Sequence, residues 1–227
     1  MASSHLKRIV APKTWPVLRK TTTFISRPKP SGQRMGLTMP AVVLMRDMLG
    51  LVLTSQQARK VLRTQTVTVN GRRIHDTDSA VGFMDILAVG GKGYRLLINE
   101  SNTLYLAPVG KDEDIIIQKV RGKTTLTKGR TQIACTSGRT LIVEKTAAKT
   151  NDSIVLDSKG AMTDHLPLAP GATVLLTGGN HIGKVGKVER IEGKMIVVAA
   201  AGALLETATT HAYVIGKERP LIKLNER

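Results

Sequence analysis

Thr54-Ser-Gln-Gln-Ala-Arg-Lys-Val-Leu-Arg-Thr-Gln-Thr-Val-Thr-Val-Asn-Gly-Arg-Arg-Ile74 changes its periodicity halfway along. The first half sets Ala58, Val61 and Leu62 at helical spacing, a stripe that can be buried on one side. Thr54 suits the N-cap, and Gln57 three residues on completes the spacing of a capping box. Arg59 and Arg63 are four apart and share a face away from that stripe. From Thr66 the period drops to two through Val67, Thr68 and Val69. Asn70-Gly71 then supplies a type I′ turn, whose two central residues need positive φ. In that register Val69 faces Arg72, Thr68 faces Arg73 and Val67 faces Ile74, so Val67, Val69 and Ile74 join the buried stripe. Arg73 falls on the other face with Thr66 and Thr68, while Arg72 lies along the rim of the core. The expectation is a short helix and a tight hairpin with arginines on both. Taken alone, the stretch fits either solvated charges on an amphipathic pair or a basic plate for phosphates.

Composition favours the plate. Lys and Arg number 34 against 17 Asp and Glu, a net charge of +17 in 227 residues with pI ≈ 10.4. That excess points to a polyanion, nucleic acid ahead of an anionic membrane surface. Aromatic residues make up only 3% of the chain, too few for a reader of stacked single-stranded bases. Recognition of the backbone and shape of folded nucleic acid fits better. The single cysteine, Cys135, excludes an internal disulfide framework and a Cys-rich zinc site; it fits a reducing cytosol and a small buried side chain. Residues 41–53 are apolar but short and interrupted by Arg46-Asp47, and residues 195–205 are also too short to span a bilayer. No membrane partner is expected, and no apolar core follows the first cations as a secretory signal requires.

The first forty residues carry Lys7, Arg8, Lys13, Arg19, Lys20, Arg27, Lys29 and Arg34, with no acidic residue before Asp47. Pro12, Pro16, Pro28 and Pro30 break any long helix. A basic arm that gains order on meeting phosphates is expected, with Trp15, Val17, Leu18, Phe24 and Ile25 as anchors. Pro40 at a first helical position opens an apolar helix ended by Gly50. Phe83, Met84, Ile86, Leu87 and Val89 read as one strand, closed by Gly90-Gly91-Lys92-Gly93. Asp76 and Asp78 beside His75 lack a third ligand and read as a turn, not a metal site. Beyond Tyr94 the chain reads as strands and turns with cations on the bends and one dense acidic cluster, Lys111-Asp-Glu-Asp114.

Residues 173–191 form a second motif, two strand-like runs joined by a glycine-bearing corner. Gly183-Lys184-Val185-Gly186-Lys187-Val188 suits a strongly bent strand of a small barrel. Gly178, Gly183 and Lys184 have the spacing of a phosphate-binding loop, but Val185 stands where its Mg²⁺-binding hydroxyl is required. No nucleophile elbow, zinc-protease motif or dinucleotide fingerprint is present, and His5, His75, His165, His181 and His211 are scattered. No enzyme activity, cofactor or metal is expected.

The order of these parts carries a resemblance. Residues 59–73 resemble the αL RNA-binding motif, and residues 178–191 resemble a KOW motif. The opening His5-Leu-Lys-Arg-Ile-Val-Ala-Pro-Lys-Thr-Trp15, Val81-Gly-Phe-Met-Asp85 and the ending Tyr213-Val-Ile-Gly-Lys217 look like the S-four-e family of small-subunit ribosomal proteins, in its shorter archaeal form. The apolar Ala199-Ala-Ala-Gly-Ala-Leu-Leu205 departs from that pattern. The resemblance implies a multidomain α+β protein: a basic N-terminal extension (residues 1–40), an αL RNA-binding domain (41–93), an all-β central domain (94–170) and a KOW-type β-barrel with a C-terminal segment (171–227). It implies a structural constituent of the cytoplasmic ribosome, with small-subunit rRNA and neighbouring ribosomal proteins as partners and no homo-oligomer. Besides the arm cations, it marks Arg59, Lys60, Arg63, Asn70, Arg72, Arg73, Lys184 and Lys187 as RNA contacts, with Gly183 and Gly186 holding the KOW loop. A pseudouridine-synthase-type enzyme using αL for delivery, and a KOW-containing elongation factor, are the alternatives.

Overall fold

The computed structural model describes residues 5–110, 115–144, 146–157, 160–200, 202–222 and 224. The acidic cluster at 111–114, most of the basic end beyond residue 222 and the side chain of Lys128 lie outside what is described. The chain divides into two units: Met1–Leu97 with Asn102–Asp114, and Ile98–Ser101 with Ile115–Arg227.

The first unit opens with the basic arm, where β1 (Leu6–Lys7) pairs antiparallel with β2 (Phe24–Ile25). Ala11, Trp15 and Ile25 are buried, while Leu18 and Phe24 are exposed. The arm is therefore packed in part: of the expected anchors, Trp15 and Ile25 are sequestered, while Leu18 and Phe24 are not. β3 (Thr38–Pro40) leads into α1 (Ala41–Val43), which continues as a π-helical turn over Leu44–Met48. Pro40 is extended, at φ −74 and ψ 143, so the helix begins one residue later than expected. Its run from Ala41 to Met45 is buried throughout. Next come α2 (Ser55–Thr64), β4 (Thr68–Val69), β5 (Arg72–Arg73) and β6 (Ala80–Gly82), the last paired with β3.

β7 (Ile86–Val89), β8 (Lys92–Ile98) and β9 (Leu104–Val109) complete a sheet in the order β5-β4-β7-β8-β9. The apolar run from Phe83 to Val89 is not one strand, because Met84 at φ +67 breaks it between β6 and β7. Gly90-Gly91 is not a domain end but the turn between β7 and β8, with register Val89 to Lys92. The boundary expected at 93/94 thus falls inside β8.

The second unit holds two five-stranded antiparallel sheets. β10 (Ile116–Thr125), β11 (Thr131–Cys135), β12 (Thr140–Val143), β13 (Ser153–Leu156) and β14 (Met162–Leu166) pair in the order β12-β11-β10-β13-β14. β15 (Thr173–Leu176), β16 (Val185–Glu192), β17 (Met195–Ala200), β18 (Ala203–Ala208) and β19 (Ala212–Gly216) pair in the order β18-β17-β16-β15-β19. The apolar departure at 199–205 belongs to the β17–β18 hairpin, where Ala200 pairs with Ala203, Leu205 is buried and Leu204 is exposed. A lysine ties the sheets together. Lys119 on β10 is 4% exposed, and its Nζ donates to the carbonyls of Thr209 (3.0 Å), Thr210 (2.8 Å) and Ala212 (2.5 Å). The Tyr213 hydroxyl returns a bond to the Ile117 carbonyl at 2.7 Å. Burial pushes the Lys119 ammonium down to about 8.

Candidate nucleic-acid interface

α2 starts where its cap dictates. Thr54 Oγ1 accepts from the Gln57 amide at 3.2 Å, and Gln57 Oε1 reaches back to the Thr54 amide at 3.4 Å. Ala58 and Leu62 are fully buried and Val61 half-buried, which turns Arg59, Lys60 and Arg63 outward. The hairpin follows with Asn70 at φ +50 and Gly71 at φ +76, the two positive values that a type I′ turn demands. Thr68 pairs with Arg73 and Val69 with Arg72, and both arginines are exposed on the edge strand β5. Val67 is buried, while Val69 and Ile74 reach only half-burial.

Asn70 does not belong to the exposed set. It is 4% exposed: its Nδ2 donates to Asp85 Oδ1 at 2.6 Å, and its Oδ1 accepts from the Ile86 amide at 2.8 Å. Asp85 Oδ2 in turn accepts from the Gly82 amide at 2.7 Å. The side chain therefore clasps the turn to the β6–β7 bend, a structural role that stands beside any contact with a phosphate.

The arm cations divide the same way. Arg8 is 6% exposed; its guanidinium donates to the Leu18 carbonyl and to Thr22 Oγ1 (3.3 Å) and lies 3.9 Å from Asp47. Arg19 donates to the carbonyls of Ile9 (3.2 Å), Ala11 (2.7 Å) and Pro12 (2.8 Å). These two arginines bond carbonyls of a proline-broken segment, a structural duty that stands beside the expected contact. Lys29 pairs with Asp76 at 2.5 Å, and that hydrogen bond holds the Asp76 carboxyl below its usual range. Lys7, Lys13, Lys20, Arg27 and Arg34 are exposed. Sequence reading had no signal for these partners, because each lies across a loop or on another element.

In the second unit Lys187 is exposed and Lys184 half-buried. Gly186, opposite Val174, is required by close approach: a Cβ there would run into the Ala199 carbonyl and the Val198 side chain of β17. Among the described residues no group of His, Cys, Asp or Glu could hold a metal ion. No described helix is long and apolar enough to cross a membrane.

Comparison with known proteins decides the family. Residues 90–161 match the family model described as Ribosomal family S4e, and residues 2–30 match the RS4NT (NUC023) domain. A small ribosomal subunit protein eS4 from Methanocella arvoryzae is 32% identical over 98% of both chains. The chain belongs to the S4e family. Its eS4 relative from Natronomonas pharaonis is 35% identical over 84% of this chain and 82% of its own. Among solved structures, the 30S ribosomal protein S4e of Thermoplasma acidophilum matches with a TM-score of 0.71 and 25% identity, covering 82% of this chain and 99% of that one. These archaeal relatives agree with the short, archaeal form expected of this S4e chain.

Proposed function

We infer that this S4e chain is a structural constituent of the small ribosomal subunit, works in the cytoplasm as part of the ribosome, is not an enzyme, and binds rRNA and neighbouring ribosomal proteins. The relatives give no support to a pseudouridine-synthase-type enzyme or an elongation factor. The observation that carries the RNA contact is the split on α2 and β5: aliphatic residues turn inward, while Arg59, Lys60, Arg63, Arg72 and Arg73 stand exposed in a chain of net charge +17. On this reading the helix and hairpin are an αL-type plate that neutralises phosphates, and Lys184 and Lys187 are backbone contacts of a KOW-type module. Lys7, Lys13, Lys20, Arg27 and Arg34 extend the basic surface along the arm. Each contact is weak, and the modules gain strength by being joined. The four-part division into extension, αL unit, central β domain and KOW-type barrel, and a monomeric state before assembly, belong to the same proposal.

Salt dependence tests it. Binding to a small-subunit rRNA fragment should weaken with a log–log slope near −0.9 per phosphate on duplex regions. Arg59→Ala and Arg63→Ala should each make that slope shallower by about one unit. An unchanged slope in both variants rejects the phosphate plate. Migration of the native chain as free protein on a gradient, away from small subunits, rejects the ribosomal role.

A further inference from the structure

The second unit carries an acid-free basic stretch that the sites above do not use. Residues 115–143 contain no Asp or Glu, yet include Lys119, Arg121, Lys123, Lys128, Arg130 and Arg139. The strands of this stretch form β10, β11 and β12. Among the described residues β13 pairs with β10 over Ile116 to Lys119, so the half of β10 from Gly122 to Thr125 is flanked there by β11 alone. Register assigns its two faces. Gly122, Ala134 and Thr140 are cross-strand neighbours, as are Thr124, Gln132 and Ile142. On this face Thr124, Thr140 and Ile142 are exposed, and a Cβ on Gly122 would meet nothing within 4 Å. The opposite face carries Ile133 and Cys135, both buried, and Lys123, whose Nζ donates to the Ala148 carbonyl at 2.6 Å.

We propose that the open face of β10–β11–β12 is a further RNA-docking surface, which seats the sugar–phosphate ridge of a helical rRNA segment. The face is shallow over Gly122, Ala134, Thr124 and Thr140, with the exposed Ile142 side chain standing at its β12 edge. Its Thr124 and Thr140 hydroxyls and its Gln132 amide can bond 2′-hydroxyls and phosphate oxygens, the groups that an A-form helix displays across its wide minor groove. Arg121 sits at the bulge between Val120 and Gly122, Arg130 precedes β11, and both are exposed. They bring positive charge to the rim, and the cations of the stretch outnumber Glu144, the exposed carboxylate that follows β12 and lies opposite Arg130 in the register. That charge selects a polyanion over the alternative occupant, a protein strand added to the open edge of β12.

The inference rests on the rRNA-binding reading, and the test separates the two. Cys135 is the single cysteine and is 3% exposed, with its thiol pushed up to about 11 by burial, so an added surface cysteine can be labelled selectively. The full chain carrying Thr124→Cys, tethered to an iron chelate and assembled into small subunits, should cleave rRNA at discrete positions by hydroxyl radicals. Thr64→Cys, exposed at the end of α2, is the parallel probe of the αL-type plate. Cleavage from Thr64→Cys alone overturns the inference and leaves the plate intact; cleavage from neither overturns both. Damage confined to a neighbouring protein by the Thr124→Cys probe overturns the inference in favour of strand addition. Independently, Arg121→Ala with Arg130→Ala should make the salt slope of RNA binding shallower by about two units. An unchanged slope in a folded double variant overturns it as well.

Discussion

Asn70 carries two duties of different origin. Its positive φ was legible, because Asn-Gly between Val69 and Arg72 specifies a type I′ turn within four residues of chain. Its bonds to Asp85 and Ile86 were not, because they close a contact that no local pattern encodes. The same holds for Arg8, which lies beside exposed lysines in sequence and inside the arm in space. Removing the Asn70 amide strands the Ile86 N–H, at about 1–3 kcal/mol for a buried group left unpaired. Asn70→Gly keeps the turn geometry and still loses both bonds. Asn70→Ala and Asn70→Gly should therefore both destabilise by at least about 1 kcal/mol in urea unfolding, with the salt slope of RNA binding unchanged. A Gly variant as stable as wild type limits Asn70 to its turn geometry, and a shallower slope returns it to the RNA face.

At the scale of elements, local signals were read well and non-local ones poorly. The capping box and the change from helical to alternating period placed α2, β4 and β5. β14 escaped because Met162-Thr-Asp-His-Leu166 lacks alternation and owes its extended form to pairing with β13. The β7–β8 turn was mistaken for a boundary because a glycine pair serves either purpose. Lys119 is the largest surprise: a cation inside a strand buried through Val120. Its folded pKa of about 8 lies below the ordinary lysine value of 10.5, so between those pH values the unfolded chain binds more protons. The Lys119 contribution to stability is then flat below about pH 8 and rises with pH up to about 10.5, by at most about 3 kcal/mol. The three carbonyl acceptors favour the ammonium and reduce that figure. Urea unfolding of wild type and Lys119→Met at pH 7.5 and 10 checks it, these being roughly the ends of the titration window. The variant should be less stable at both, with the gap widening by about 1–3 kcal/mol at the higher pH. A gap that stays constant with pH refutes the buried titration.

Over the whole molecule, charge and composition pointed to a polyanion before any element was placed, because neither depends on contacts. The arm sets that global reading beside local contacts. An acid-free, proline-broken segment has the composition of a disordered tail, yet Trp15 is 2% exposed and Thr14 Oγ1 bonds the Gly36 carbonyl at 2.6 Å. Trp15 is the single tryptophan, so the free protein reports directly on the arm. Its emission should be blue-shifted in buffer without RNA and move red only on unfolding. Trp15→Ala should cost about 3–5 kcal/mol. Red-shifted emission from the native free protein would mean that the arm orders only on the ribosome.

The ammonium clamp of the second unit also sets a schedule for synthesis. Lys119 and its acceptors are 90 to 93 residues apart, and Tyr213 is 96 residues from the carbonyl it bonds. While the chain emerges from its N-terminal end, β10 to β14 are complete long before residues 209–213 arrive. Until then the lysine keeps its hydration shell, and the face that β19 will cover stays open. Closure of this unit is thus a late event in its own synthesis, and the nascent chain presents an unclosed sheet to whatever holds it during the wait.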